Sequence, residues 1–167
     1  LIGLKHTSAP FYQMALTFNK RDCLSVVKQY GIKTATSFYL NKGDIIYEDK
    51  IIEKVGLPCF VKPNNGGSSF GISKVKTKAD ILPAIKKAFL EDSEILIEEF
   101  LDGTVVSVGV LNYKGEIKVL PMTEIVTENE FFDYEAKYLG KSEEITPARI
   151  SEENHKKLET VASKIYQ

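Results

Sequence analysis

The amino-acid sequence predicts an α+β fold, an antiparallel sheet with helices laid against it. Three observations point there. Short apolar runs follow one another closely from Cys59 to Val126, at the length of strands rather than of helices. The turns between the later runs are tight, at Asp102–Gly103 and Asn112–Gly115, and tight turns join antiparallel neighbours. A single helical pattern interrupts the series, which suits an α+β lobe better than an alternating parallel one.

The elements follow in order. Asn19 is a good N-cap for a helix carrying Cys23, Leu24, Val27 and Tyr30 on one side, and Gly31 ends it. A strand is expected over Thr34–Leu40 and a turn over Asn41–Asp44. Ile51–Val55 reads as the end of a helix closed by Gly56 and Pro58, while Ile45–Tyr47 suits a helix or a strand. Cys59–Lys62 is a buried-type strand, Asn64–Ser69 a polar glycine loop and Gly71–Val75 a second strand. Thr77 and Asp80 form a capping-box pair opening a helix through about Leu90. Ile95–Phe100 is a third strand, Val105–Leu111 and Glu116–Leu120 make a hairpin, and Thr123–Val126 is a further strand candidate. The polar, aromatic-rich stretch Thr127–Thr146 fits no regular element and is long for a loop, a length usually reserved for function or disorder. Ser151 caps the last helix, with Glu152 and Glu153 in the turn that the helix dipole favours.

Composition narrows the function classes. With 167 residues, 43% hydrophobic and 27% charged, the chain has room for one ordinary domain or two small lobes. A net charge of −1 lacks the basic surplus of a nucleic-acid binder. No apolar run reaches bilayer length, and Leu1–Leu4 is broken at once by Lys5 and His6, unlike a signal peptide. Cys23 and Cys59 read as small reduced hydrophobes, which suggests a cytoplasmic protein, and His6 and His155 have no metal-like partner at helical spacing. The chain starts inside an apolar segment and stops within a helical pattern, with Leu158, Val161, Ala162 and Ile165 on one face; it is expected to be a piece of something longer.

Three segments carry chemistry. Lys62-Pro63-Asn64-Asn65-Gly66-Gly67-Ser68-Ser69-Phe70-Gly71 sends a lysine off a strand end into a loop of paired glycines and serines. Backbone amides, hydroxyls and one cation make a phosphate cradle, although a tight hairpin needing glycine has the same composition. The spacing is not that of a Walker A loop. Glu98-Glu99-Phe100-Leu101-Asp102-Gly103 could present a strand edge to a purine, or simply a solvated surface. Phe131-Phe132-Asp133-Tyr134-Glu135-Ala136-Lys137-Tyr138 places four aromatics and a lysine in an irregular loop, as a lid closing on a ligand or as a docking patch. Lys20, at a helix start, suits either a phosphate or solvent.

Together, Asn19-Lys20, Lys62 through Gly71, Ile95 through Gly103 and Phe131 through Tyr138 resemble the successive ATP-grasp motifs of D-alanine–D-alanine ligases, in order and at family spacing. The resemblance spans essentially the whole chain, and its most specific parts are Gly67–Gly71 and Phe131–Tyr138. It implies an ATP-grasp nucleotide-binding lobe plus part of the central domain, segmented as 1–16, 17–57, 58–126, 127–148 (the lid) and 149–167. It implies that Lys20 and Lys62 contact the phosphates, that Ser68 and Ser69 cap them, and that Glu98 accepts from the adenine amino group. The backbone from Glu99 to Leu101 would hold the adenine edge, with Phe100 and Phe131 lining the base pocket. Lys137 would reach the transferred phosphoryl group, and Tyr138 would bond Ser68 near the first D-alanine; Ser68, Lys137 and Tyr138 are the implied catalytic group. The tyrosine-type loop implies D-alanine, not D-lactate, as second substrate.

The resemblance further implies Mg²⁺ (or Mn²⁺), a homodimer, and no nucleic-acid or membrane partner. The metal ligands of the family lie in a segment with no counterpart here, so no metal-binding residue is assigned and these 167 residues alone are expected to be inactive. One departure is internal: Val105 stands where the family usually has a ribose-binding glutamate, and Val105→Glu is expected to tighten ATP binding. Another ATP-grasp carboxylate–amine ligase, or a nucleotide-binding module without catalysis, are the alternatives.

Overall fold

The computed structural model describes residues 3–4, 8–127, 139 and 142–167. The chain divides into two compact units, residues 1–100 and 101–167. The segment boundary expected at 57/58 falls inside the first unit, because the strand before it pairs with one after it.

In the first unit, α1 (Phe11–Phe18) leads directly into α2 (Lys20–Gln29), followed by β1 (Ser37–Asn41), α3 (Glu48–Val55), β2 (Cys59–Pro63), β3 (Ser73–Val75), α4 (Ile81–Glu91) and β4 (Glu94–Glu99). The four strands form one antiparallel sheet in the order β1-β4-β2-β3. The last strand is thus inserted centrally, with Ile97 opposite both Phe38 and Val61.

Alternation divides the sheet faces. Cys59 and Val61 of β2, Ile95 and Ile97 of β4, Val75 and Leu40 point one way and pack with Ile51 and Val55 of α3 and Ile81, Ala84, Ile85 and Ala88 of α4. The other face carries Ser37 and Tyr39, Phe60 and Lys62, Lys74, Leu96 and Glu98. Lys62 of β2 and Glu98 near the end of β4 are therefore collected, with Phe60, on the side away from the helices. This face is not a solvated one, since Leu96 is fully buried and Glu98 is only 8% exposed.

Local chemistry explains the boundaries. The Asn19 side chain caps α2 by accepting from the Asp22 amide, and Gly31 turns the chain at φ 72°. Thr77 and Asp80 make the expected reciprocal capping box, which opens with a 3-10 turn over Lys78–Asp80 before α4. Asp44 closes the turn after β1 by accepting from the Asn41 amide. Ile45–Tyr47 belongs to neither helix nor strand. The helix α1 has no sequence signature: no side chain caps it, and its eight residues are apolar on several sides.

The second unit holds β5 (Val105–Ser107), β6 (Val110–Tyr113), β7 (Glu116–Val119), β8 (Thr123–Thr127), β9 (Ser142–Ile145) and α5 (Glu152–Tyr166). Two expectations are corrected here. The run 105–111 is not one strand: β5 pairs with β8, whereas β6 pairs with β7. The break falls at Gly109, whose carbonyl accepts from the Leu120 amide at 2.8 Å and whose bare Cα lies against the Leu120 side chain. The stretch 127–146 is not wholly irregular either, since Ser142–Ile145 pairs with β8 to give the order β5-β8-β9. Glu143 and Glu144 hid that strand from a hydrophobicity pattern. Ser151 caps α5 as expected, by accepting from the Asn154 amide.

Candidate functional site

The glycine loop begins where β2 delivers Lys62 to the face opposite the helices. The Lys62 Nζ donates to Glu98 Oε2 at 2.6 Å, and the Ser37 hydroxyl reaches Glu98 Oε1 at 3.5 Å. Glu98 lies directly across from Phe60 in the ladder, so the lysine and the carboxylate are diagonal neighbours on one face. Phe60 and Phe100 stand with ring centroids 6.1 Å apart, and the Lys74 ammonium lies 4.1 Å from the Phe100 centroid. Two cations, one carboxylate and two aromatic rings are thereby gathered at one end of the sheet.

Lys20 arrives from the other side of the loop. Its Nζ donates to the carbonyls of Asn64 and Gly66, at 3.2 and 3.3 Å. The loop is anchored further by Asp92 at the end of α4, which accepts from both the Asn65 amide and the Asn65 side chain. Burial alone would raise the Asp92 pKa; the bonds from Asn65, Glu94 and Ser93 outweigh it and hold the carboxyl below its ordinary value. Asn64 itself is buried and spans the chain segments around it.

Within the loop, Ser68 and Ser69 are both left-handed, at φ 53° and 61°. Two successive non-glycine residues in that region are rare, and such strain gathers at binding sites. The Phe70 amide donates to the Gly67 carbonyl across them, closing a turn. A turn of this kind directs successive amides toward one side, as a phosphate requires.

The structure therefore brings Lys20 to the glycine loop, and Lys62, Glu98 and Phe100 to one another. Glu99 has its amide and its carboxylate already bonded within the first unit. Its amide donates to the Thr36 carbonyl and its carboxylate accepts from the Thr36 amide at 2.7 Å, while the Phe100 amide donates to Pro58. Those two amides are committed to the neighbouring chain because β4 is a central strand, not an edge. Leu101 is exposed and opens the second unit. Phe131, Lys137 and Tyr138 lie outside the described residues. Val105 is exposed at the start of β5.

Sequence reading missed Asn64, Asp92 and Lys74. Only Lys74 had a legible signal, because it alternates onto the same face as Phe60 once β2 and β3 pair. In the second unit, Glu124 takes a two-pronged bond from Arg149, at 2.8 and 3.0 Å, and a third from the Arg149 amide. The Arg149 side chain holds that carboxyl below its usual range. Burial pushes the Cys59 thiol up to about 11, leaving it inert.

The donor set suits a nucleotide: two lysines for phosphate charge, a strained amide turn and aromatic surface beside a carboxylate. A divalent metal is a different matter. Among the described residues no group of three or more His, Cys, Asp or Glu side chains stands together to hold one. No helix among them is long and apolar enough to cross a membrane.

The antiparallel sheet backed by helices, with this loop at its end, is the fold of the ATP-grasp class, as its likeness to solved ligases shows. Two solved structures share that fold. The VanG D-Ala:D-Ser ligase from Enterococcus faecalis superimposes with a TM-score of 0.74 at 35% identity, over 91% of this chain and 45% of that one. The D-alanyl-alanine synthetase A from Vibrio cholerae gives 0.76 at 25% identity, over 91% and 47%. Residues 26–167 match the family described as D-ala D-ala ligase C-terminus, and the chain belongs to that family. The D-alanine–D-alanine ligase of Flavobacterium johnsoniae is 68% identical over all 167 residues, which make up 52% of its own length. That of Christiangramia forsetii is 62% identical and is covered to 51%. The chain thus spans about half the length of the curated relatives it matches.

Proposed function

We propose that this chain holds ATP for a cytoplasmic ligase that joins two D-alanines. The observation that carries the reading is the convergence on one glycine loop of Lys20, through the Asn64 and Gly66 carbonyls, and of two left-handed serines. Lys20 and Lys62 neutralise the phosphates, and Ser68, Ser69 and the surrounding amides cap them. Lys62 leaves Glu98 in part as phosphate arrives, which frees a carboxylate oxygen for the adenine amino group. Phe100, backed by Phe60 and Lys74, lines the base, and with the Glu99 and Phe100 amides committed, the Leu101 backbone supplies the purine edge. The family resemblance adds Phe131 to the residues proposed for the base, Lys137 to those proposed for the transferred phosphoryl group and Tyr138 as the proposed partner of Ser68.

The reaction passes the γ-phosphoryl of ATP to the first D-alanine carboxylate, releasing ADP. The amine of the second D-alanine then attacks the acyl carbon and phosphate departs. Positioning and charge neutralisation supply most of such a rate enhancement, and lysines with fixed amides provide both. Mg²⁺ is expected in the full-length protein, held by residues other than those described, and the full-length protein is expected to be a homodimer.

The test is ADP formation by the full-length protein with single candidate amino acids. D-alanine-dependent release, with D-alanyl-D-alanine as product, is expected. Preferential use of D-serine or D-lactate as second substrate would contradict the assignment.

A further inference from the structure

Asn64 is the least explained polar residue in the molecule. It follows Pro63 at the end of β2 and is only 1% exposed. Every polar atom of it is used. Its side-chain nitrogen donates to Asn19 Oδ1 at 3.0 Å and to Glu94 Oε2 at 2.9 Å. Its side-chain oxygen accepts from the Arg21 amide at 2.8 Å. Its own amide donates to the Glu94 carbonyl at 2.9 Å, and its carbonyl accepts from the Lys20 amide at 3.2 Å. The same carbonyl also accepts from Lys20 Nζ. A buried primary amide costs stability unless it is satisfied in this way, so the site is built around it.

These bonds reach three separate pieces of chain. Asn19, Lys20 and Arg21 are the cap and first turn of α2, Glu94 begins β4, and Asn64 starts the glycine loop. Asn19 Oδ1 serves both as the α2 cap for Asp22 and as the acceptor for Asn64. The side chain of one residue thus fixes where the helix bearing Lys20 begins relative to the loop. α2 follows α1 across the single residue Asn19, which also bridges to Asn65 of the glycine loop. The Asn64 side chain ties the first turn of α2, and Lys20 with it, to the loop beside that bridge.

We infer that Asn64 is a positioning residue for nucleotide binding, holding the Lys20 ammonium over the glycine loop without touching the nucleotide itself. The inference rests on the reading of Lys20 as a phosphate ligand. It predicts that Asn64 and Lys20 act as one unit toward ATP, whereas a residue that merely stabilises the fold would act independently of Lys20.

The experiment is a double-substitution cycle in the full-length protein, read by calorimetric titration with ATP. Lys20→Met alone is expected to weaken ATP binding by about tenfold or more, as loss of a charge-assisted contact does. Asn64→Ala alone is expected to weaken it by roughly fivefold and to leave the KM for D-alanine near native, because the lysine is displaced and not lost. The double substitution is expected to bind within about twofold of Lys20→Met alone. Asn64→Ser, which keeps a polar atom in the cavity, gives the same pattern in milder form if the alanine variant does not fold. Multiplying effects would overturn the inference, as would Asn64→Ala with a lowered Tm and native ATP affinity. Native ATP affinity in Lys20→Met would instead remove the phosphate-ligand reading beneath it.

Discussion

At the scale of single residues, the site depends on carboxylates that never meet the substrate. Asp92 holds Asn65 in place through two bonds to one oxygen, and its folded pKa lies below the ordinary 3.8. A depressed carboxyl contributes stability that is complete above the unfolded value and is lost as pH falls through the folded one. Asp92 is only partly buried, so solvent screening limits the contribution to about 0.5–1 kcal/mol. Asp92→Ala is therefore expected to lower the Tm from neutral pH down to about 4, and the gap from native to narrow only as pH falls below that, through the depressed folded value. Thermal melts across that range check it; a gap that stays constant would mean the anchor does not depend on the charge. None of this was legible in the sequence, where Asp92 is one acidic residue at a helix end. Lys62 and the paired serines stand out in the sequence, as a lysine at a strand end before adjacent glycines, although a tight hairpin needing glycine has the same composition.

At the scale of elements, the decisive arrangement is a strand pair with two different faces. β2 and β4 give the helices Cys59, Val61, Ile95 and Ile97 and give the opposite side Phe60, Lys62, Leu96 and Glu98. The strands of the first unit were legible from their apolar runs, with boundaries off by one to three residues. Their order was not, because nothing local says that β4 inserts between β1 and β2, and that insertion is what commits the Glu99 and Phe100 amides. The fused run 105–111 failed for a related reason: a continuous apolar pattern does not record that its two ends pair with different strands. Gly71, at the exit of the glycine loop, is the tightest backbone position. Its φ is 69°, and an added Cβ would come within 2.7 Å of Glu91 Cγ and 2.8 Å of Pro63 Cγ. Gly71→Ala is expected to cost about 1–3 kcal/mol in denaturant unfolding, from strain and overpacking together. It is expected to weaken ATP binding as well, since the rigid Pro63 ring adjoins Asn64. An unchanged unfolding midpoint would show that the loop exit relaxes freely.

At the scale of the whole molecule, two units carry different kinds of information. The first, residues 1–100, contains the glycine loop, Lys20, Lys62, Glu98 and Phe100, with Lys20 placed by the start of α2 and the others by the sheet. The second, residues 101–167, is organised by its own strands and by the Glu124–Arg149 pair. Family membership follows from the match over residues 26–167, while the chemistry of ligation is a property of proteins about twice this length. If the loop from Lys62 to Gly71 cradles nucleotide phosphates, amide hydrogen exchange reports it residue by residue. With saturating ATP, exchange at the amides of residues 66–69 is expected to slow by about tenfold or more, since each amide bonded to phosphate must open before it exchanges. The amides of β7 serve as an internal reference and are expected to exchange at an unchanged rate. ATP that binds measurably while residues 66–69 exchange as in the free protein would show that the phosphates lie elsewhere.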